Sequence, residues 1–131
     1  MDDGLKKDSK NSDLMECKAL LFKQQGKYKK ALKFINKSLK INPDNFESLK
    51  SKALILIDLK RYKSSLDITD KLIEKDDLNE ELYIIKAMAL LHLFKFDELD
   101  ECADMLLKIN PKNSDGLVLK ERIEEIRENF D

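Results

Sequence analysis

The pentapeptide LKINP occurs twice, at residues 39–43 and 107–111, and the two copies contain both prolines of a 131-residue chain. They stand 68 residues apart, and cutting the chain every 34 residues brings the intervening segment into line with the outer two. Units at 12–45, 46–79 and 80–113 place KALLF, KALIL and KAMAL in register from Lys18, Lys52 and Lys86, and GKY, KRY and FKF in register up to Tyr28, Tyr62 and Phe96. A unit this short cannot enclose a core alone. Its apolar face has to be buried against its neighbours.

Within each unit apolar residues recur at spacings of three and four over about fourteen positions, break briefly, and recur again, which predicts two amphipathic helices per unit. Unit one bends at Gly26-Lys27, where glycine takes a positive φ at low cost; Lys60-Arg61 and Phe94-Lys95 stand at the same place in units two and three and specify the turn less well. Asn42-Pro43 and Asn110-Pro111 stop the second helices, since proline disfavours α geometry in its predecessor and donates no backbone bond. Unit two stops at Asp76-Asp77 without proline. Asn45, Asn79 and Ser114 are then expected to cap the following helices.

Charged residues at 39%, aromatics at 7% and only three glycines agree with an all-α chain. A net charge of -1 exerts no global pull on nucleic acid or an anionic membrane, although 12–45 carries 8 basic residues against 3 acidic and 80–131 carries 7 against 13. Cys17 and Cys102 are isolated thiols, and the longest apolar run is far below the roughly 18 residues of a membrane span. The first eleven residues are polar and lack the apolar core of a signal peptide. The expectation is a cytoplasmic protein with a flexible polar tail over 1–11 and no membrane association.

A 34-residue helix-turn-helix unit with small residues at Ala19, Ala53, Ala87, Ala31 and Ser65, large ones at Phe22, Leu56 and Leu90, aromatic ones at Tyr28, Tyr62 and Phe96, and Pro43 and Pro111 near its end resembles the tetratricopeptide repeat family. The resemblance implies a right-handed α-solenoid of three hairpins. Unit three departs from the pattern with Leu99 at a small position, but Ala103 stands four residues later where unit one has Ile35, so volume is exchanged on one helix face. Residues 114–131 begin like a fourth first helix, with Glu121 at the small position, which reads as a seventh, capping helix with a solvated outer face.

Catalysis needs a nucleophile, base or metal held against a positioned partner, and the supply here is one histidine, two distant thiols and many surface carboxylates. The chain is read as a non-enzyme without cofactor or metal. Asp97, Asp100, Glu101 and Asp104 read as a solvated helix face, and so does the basic strip Lys29, Lys30, Lys33, Lys37 and Lys40, which argues against nucleic acid as partner. Lys18, Lys52, Lys86 and Lys120 form a ladder at 34-residue steps, whose stems are expected to pack while the ammonium groups reach water.

The resemblance assigns the inner, concave face to one stripe of each first helix. In unit one it contains Leu20, in unit two Lys50, Leu54 and Ile57, and in unit three Ile84, Met88, Leu91 and His92. The stripe grows more apolar along the chain and is the candidate peptide-binding groove, with Met88 suited to adaptable contacts. One branch of the family clamps acidic chaperone tails with Lys, Asn and Arg; the matching positions here are Glu16, Leu20, Leu54, Ile84 and Met88, and none fits. The function expected is capture of a helical or extended segment of another protein. The alternative is self-association, basic first unit to acidic cap or groove to groove as a homodimer.

Overall fold

A computed structural model describes residues 2–130, with side chains for 10–129. Among these residues the chain forms seven helices: α1 (Asp2–Gln24), α2 (Tyr28–Ile41), α3 (Phe46–Asp58), α4 (Tyr62–Lys75), α5 (Glu80–His92), α6 (Phe96–Ile109) and α7 (Ser114–Phe130). The protein has an all-α helical-repeat fold. The backbone is helical from Asp2, across most of the segment expected to be a flexible tail; the side chains of residues 1–9 lie outside the described residues.

All three tight turns share one geometry. Lys27 N–H donates to the Phe22 carbonyl at 2.8 Å, Arg61 N–H to Leu56 at 2.8 Å and Lys95 N–H to Leu90 at 3.0 Å, each bond closing a helix end around one left-handed residue. That residue is Gly26 at φ 76°, but Lys60 at 63° and Phe94 at 56°. The repeat imposes on lysine and phenylalanine a conformation that costs an L-residue about 1–2 kcal/mol.

The helices stop where the prolines dictate, α2 at Ile41 and α6 at Ile109. Capping is less regular than expected. The Asn45 side chain accepts from Ser48 N–H at 3.2 Å and so caps α3, but Asn79 makes no such bond and donates instead to Asp76 at 3.0 Å. At α7 the cap is Asn113, which accepts from Gly116 N–H at 2.9 Å, one residue before the expected Ser114. Asn113 is the 34-residue equivalent of Asn45 and Asn79, and its backbone N–H bonded to Asn110 aims its side chain at the helix.

The chain divides into two compact units, Met1–Ile68 and Thr69–Asp131. In the first, Ala19, Ala31, Ile35 and Ile55 are fully buried together, with Phe22, Leu32, Phe34 and Leu59 packed around them. The small residues bring helix backbones close, and Ser65 shows how close: its hydroxyl donates to the Ala53 carbonyl at 2.7 Å. A chain of buried hydroxyls joins α1, α2 and α3, with Ser12 Oγ 2.9 Å from Ser38 Oγ and Ser38 Oγ 2.9 Å from Ser48 Oγ. In the second unit Leu82, Leu90, Leu99, Ala103, Leu106 and Ile123 are buried, each large side chain contributing about 1.5–3 kcal/mol of transfer free energy. The Leu99 and Ala103 exchange fits this core, with both side chains buried. The Tyr83 hydroxyl donates to the Asp77 carbonyl at 2.8 Å and ties down the link before α5. Gly116 lets α7 approach α6, since a Cβ there would meet Leu106 and Leu107 at 3.1–3.2 Å.

Charge holds α7 on α6 as well. Lys120 Nζ lies 2.6 Å from Asp100 and 2.5 Å from Asp104, and Arg127 lies 3.4 Å from Asp97 and Asp100. Hydrogen bonding to Lys120 holds the Asp100 carboxyl below its ordinary range, against a partial opposing effect of burial.

Three outcomes follow for unfolding measurements. Lys60→Gly should raise stability by up to about 1 kcal/mol in urea titration by relieving the left-handed residue. Ser38→Ala should lower stability by about 1–2 kcal/mol, because Ser12 and Ser48 lose a buried partner. Because the Asp100 pKa is depressed on folding, its contribution is present above the ordinary value of 3.8 and is lost as pH falls through the depressed one. Asp100→Asn should therefore lower the melting temperature at neutral pH and flatten its decline below pH 3.8.

Candidate interaction surface

In the second unit the stripe of α5 faces a cleft. Ile84, Met88 and Leu91 follow one another at four- and three-residue steps on one helix face, and with Ala87 they form one wall. Asp115, Val118 and Leu119 of α7 form the other wall, and the enclosed volume is about 150 Å³. Met88 is 40% exposed and Val118 52%, while Ile84 and Leu91 are half-buried. Helix α7 supplies a second apolar wall and leaves the cleft open. Sequence reasoning missed that wall by reading 114–131 as a solvated cap; the signal was the run Leu117-Val118-Leu119, too apolar for a purely solvating face. Glu121 is exposed. His92 ends α5 and is exposed.

In the first unit the stripe is narrower. Leu20 is exposed and Leu54 half-buried, whereas Ile57 is only 7% exposed, because it follows buried Ala53 by one helical turn and shares its face. Ile57 therefore offers little surface. Polar links flank the leucines: Lys23 pairs with Asp58 at 3.7 Å, the Ser48 hydroxyl donates to Glu16 at 3.4 Å, and half-buried Lys50 lies 3.2 Å from Glu47. Burial raises the Glu16 pKa, with the Ser48 bond acting against it.

The lysines of the basic strip and Asp97, Glu101 and Asp104 of the acidic cluster are exposed, as expected of solvated faces, and several of them also have partners. Beneath the basic strip, Phe22 and Phe34 stack at 5.2 Å, with Lys30 over the first ring at 5.7 Å and Lys37 over the second at 4.7 Å. Lys18 also lies over Phe34, at 5.7 Å. The acidic cluster of α6 is engaged through Asp97, Asp100 and Asp104 by Lys120 and Arg127. Lys86 pairs with Asp70 at 2.8 Å, and although burial disfavours its charge, that bond raises its pKa. Burial pushes the Cys102 thiol up to about 11, which makes it a poor nucleophile. Among the described residues no group of three or more His, Cys, Asp or Glu is placed to hold a metal ion, and no helix is long and apolar enough to cross a membrane.

Comparison with known proteins connects this geometry to a family. No curated protein sequence matches the chain. Among solved structures, the tetratricopeptide domain of OM64 from Arabidopsis superposes with a TM-score of 0.82 at 19% identity, over 90% of this chain and 98% of that one. The first such domain of Spaghetti (RPAP3), bound to the HSP90 peptide SRMEEVD, superposes with a TM-score of 0.79 at 19% identity, over 90% and 96%. The second such domain of human RPAP3, in complex with the HSP70 peptide SGPTIEEVD, gives 0.75 at 15%, over 89% and 95%. These identities establish the fold. A sequence model of the family described as anaphase-promoting complex, cyclosome, subunit 3 matches residues 5–72, just over half of the chain. The chain therefore belongs to that family, and its fold is that of the tetratricopeptide repeat.

Proposed function

We propose that the protein is a non-catalytic interaction module that binds a helical or extended apolar segment of another protein. The observation that carries this reading is the open cleft between α5 and α7, where Met88 and Val118 expose apolar surface on facing walls. Two structures on the same fold hold peptides, the HSP90 and HSP70 segments ending in EEVD. In this chain the positions at which the family clamps such acidic tails are Glu16, Leu20, Leu54, Ile84 and Met88, none of them basic. The segment taken here is accordingly apolar at its anchor, with Asp115 at the edge of the cleft favouring a basic flank. Leu20 and Leu54 of the first unit belong to the same reading as a further apolar patch.

Peptide display against the intact chain tests this. Selected peptides should carry an aliphatic or aromatic anchor, and Met88→Asp should weaken their binding by about 10- to 100-fold, the equivalent of roughly 1.5–3 kcal/mol of lost burial. Helix content by circular dichroism should not change, because Met88 is already 40% exposed. Unimpaired binding by Met88→Asp would place the site elsewhere. The charge asymmetry between 12–45 and 80–131 favours self-association as the second reading. Sedimentation equilibrium across salt concentrations decides it, a salt-independent monomer at tens of micromolar removing that reading.

A further inference from the structure

Among the described residues the lysine ladder has a regular partner that fails at one rung. Lys86 pairs with Asp70 at 2.8 Å and Lys120 with Asp104 at 2.5 Å, in each case the residue sixteen positions earlier. For Lys52 that position is Asn36, the 34-residue equivalent of Asp70 and Asp104. An amide has no charge to give, and among the described residues no carboxylate lies within ion-pair distance of Lys52 or of Arg61.

A cleft of about 340 Å³ opens at this rung, inside the first unit. Asn36, Lys52, Arg61, Ser64 and Asp67 line it together with three aliphatic side chains. The equivalent cleft of the second unit, at Lys86, is smaller, about 100 Å³, and is lined by Glu98 and Glu101. Glu98 corresponds to Ser64 and Glu101 to Asp67. The first cleft therefore carries two cationic side chains against one carboxylate, where the second carries one against two, before Asp70 is counted. Lys52 is half-buried, which holds its stem in place and concentrates its field at the opening.

We propose that this cleft is a second binding site, separate from the apolar one, which takes the carboxylate of an aspartate or glutamate side chain from a protein partner and completes the ladder from outside. Lys52 supplies the charge, Arg61 a planar donor set that fits a carboxylate, and Asn36 and Ser64 neutral donors beside it. Asp67 repels a second acidic group and limits the site to one carboxylate at a time.

The test is a ¹H–¹⁵N correlation titration of the intact chain at constant ionic strength, with acetylated tetraglutamate and with inorganic phosphate as probes. Tetraglutamate should shift amides around Asn36, Lys52, Arg61 and Ser64. Asn36→Asp, which supplies the missing carboxylate from within, should weaken this response by about fivefold or more without lowering the melting temperature. Lys52→Met should weaken it to a similar extent, and Met88→Asp should leave it unchanged, which separates this site from the apolar one. Three results would overturn the proposal: shifts spread over Lys29, Lys30 and the other surface lysines, an undiminished response in Asn36→Asp, or a response to phosphate with none to tetraglutamate.

Discussion

Close approach of two helices at small residues is the contact from which the rest of the structure follows. With Ala19 and Ala31 buried together, and with Ser65 bonded to the Ala53 carbonyl at 2.7 Å, the backbones come near enough for larger side chains to interdigitate on either side. A bulkier residue at these positions would separate the helices and lose those contacts together. The turn residues Gly26, Lys60 and Phe94 serve the same contact, because only a left-handed residue folds the second helix straight back onto the first. That lysine and phenylalanine are held there shows that the packing outweighs the local strain.

Surfaces left over by this packing are where the functional chemistry resides. In the second unit, α7 sits on α6 through Gly116, Ile123 and the Lys120 and Arg127 ion pairs, and this placement brings Val118 opposite Met88. The same fastening thus does two things: it covers the end of the core and builds one wall of the apolar cleft. The lysine ladder is a second by-product. Its rungs at Lys86 and Lys120 are closed by aspartates of the preceding helix, and the rung at Lys52 faces an asparagine in a wider cleft. A structural pair made at Lys86 and Lys120 has no carboxylate counterpart, among the described residues, at Lys52.

Much of the fold was legible in the residues. The 34-residue register located both proline stops, the small positions and the three turns, and α2 and α6 end one residue before the asparagine of each LKINP. What was read less well depended on neighbours in space. Asn79 turned its side chain to Asp76 and away from α5, a choice made by a competing partner three residues away. Two lysines of the basic strip, Lys30 and Lys37, lie over the rings of Phe22, which belongs to the previous helix, and half-buried Phe34, and the sequence pattern of one helix does not show that contact. Ile57 and Leu54 looked alike on the open stripe and differ in burial, since Ile57 lies one helical turn after buried Ala53 on the packed edge of that stripe.

The sequence by itself determined the helical repeat, its period and its punctuation, because these depend on residues one to five positions apart: a proline and its predecessor, a turn residue and its helix end, an apolar stripe at three- and four-residue steps. Tertiary structure decided which surfaces stay open and which charges are matched. Val118 stands thirty residues from Met88, and Asp104 sixteen from Lys120. A register shows that such residues occupy corresponding faces, but the distance between facing side chains is set by how closely the helices pack. That distance lets Asp104 reach Lys120 at 2.5 Å, and it leaves a cleft open beside Lys52, where the sequence supplies Asn36.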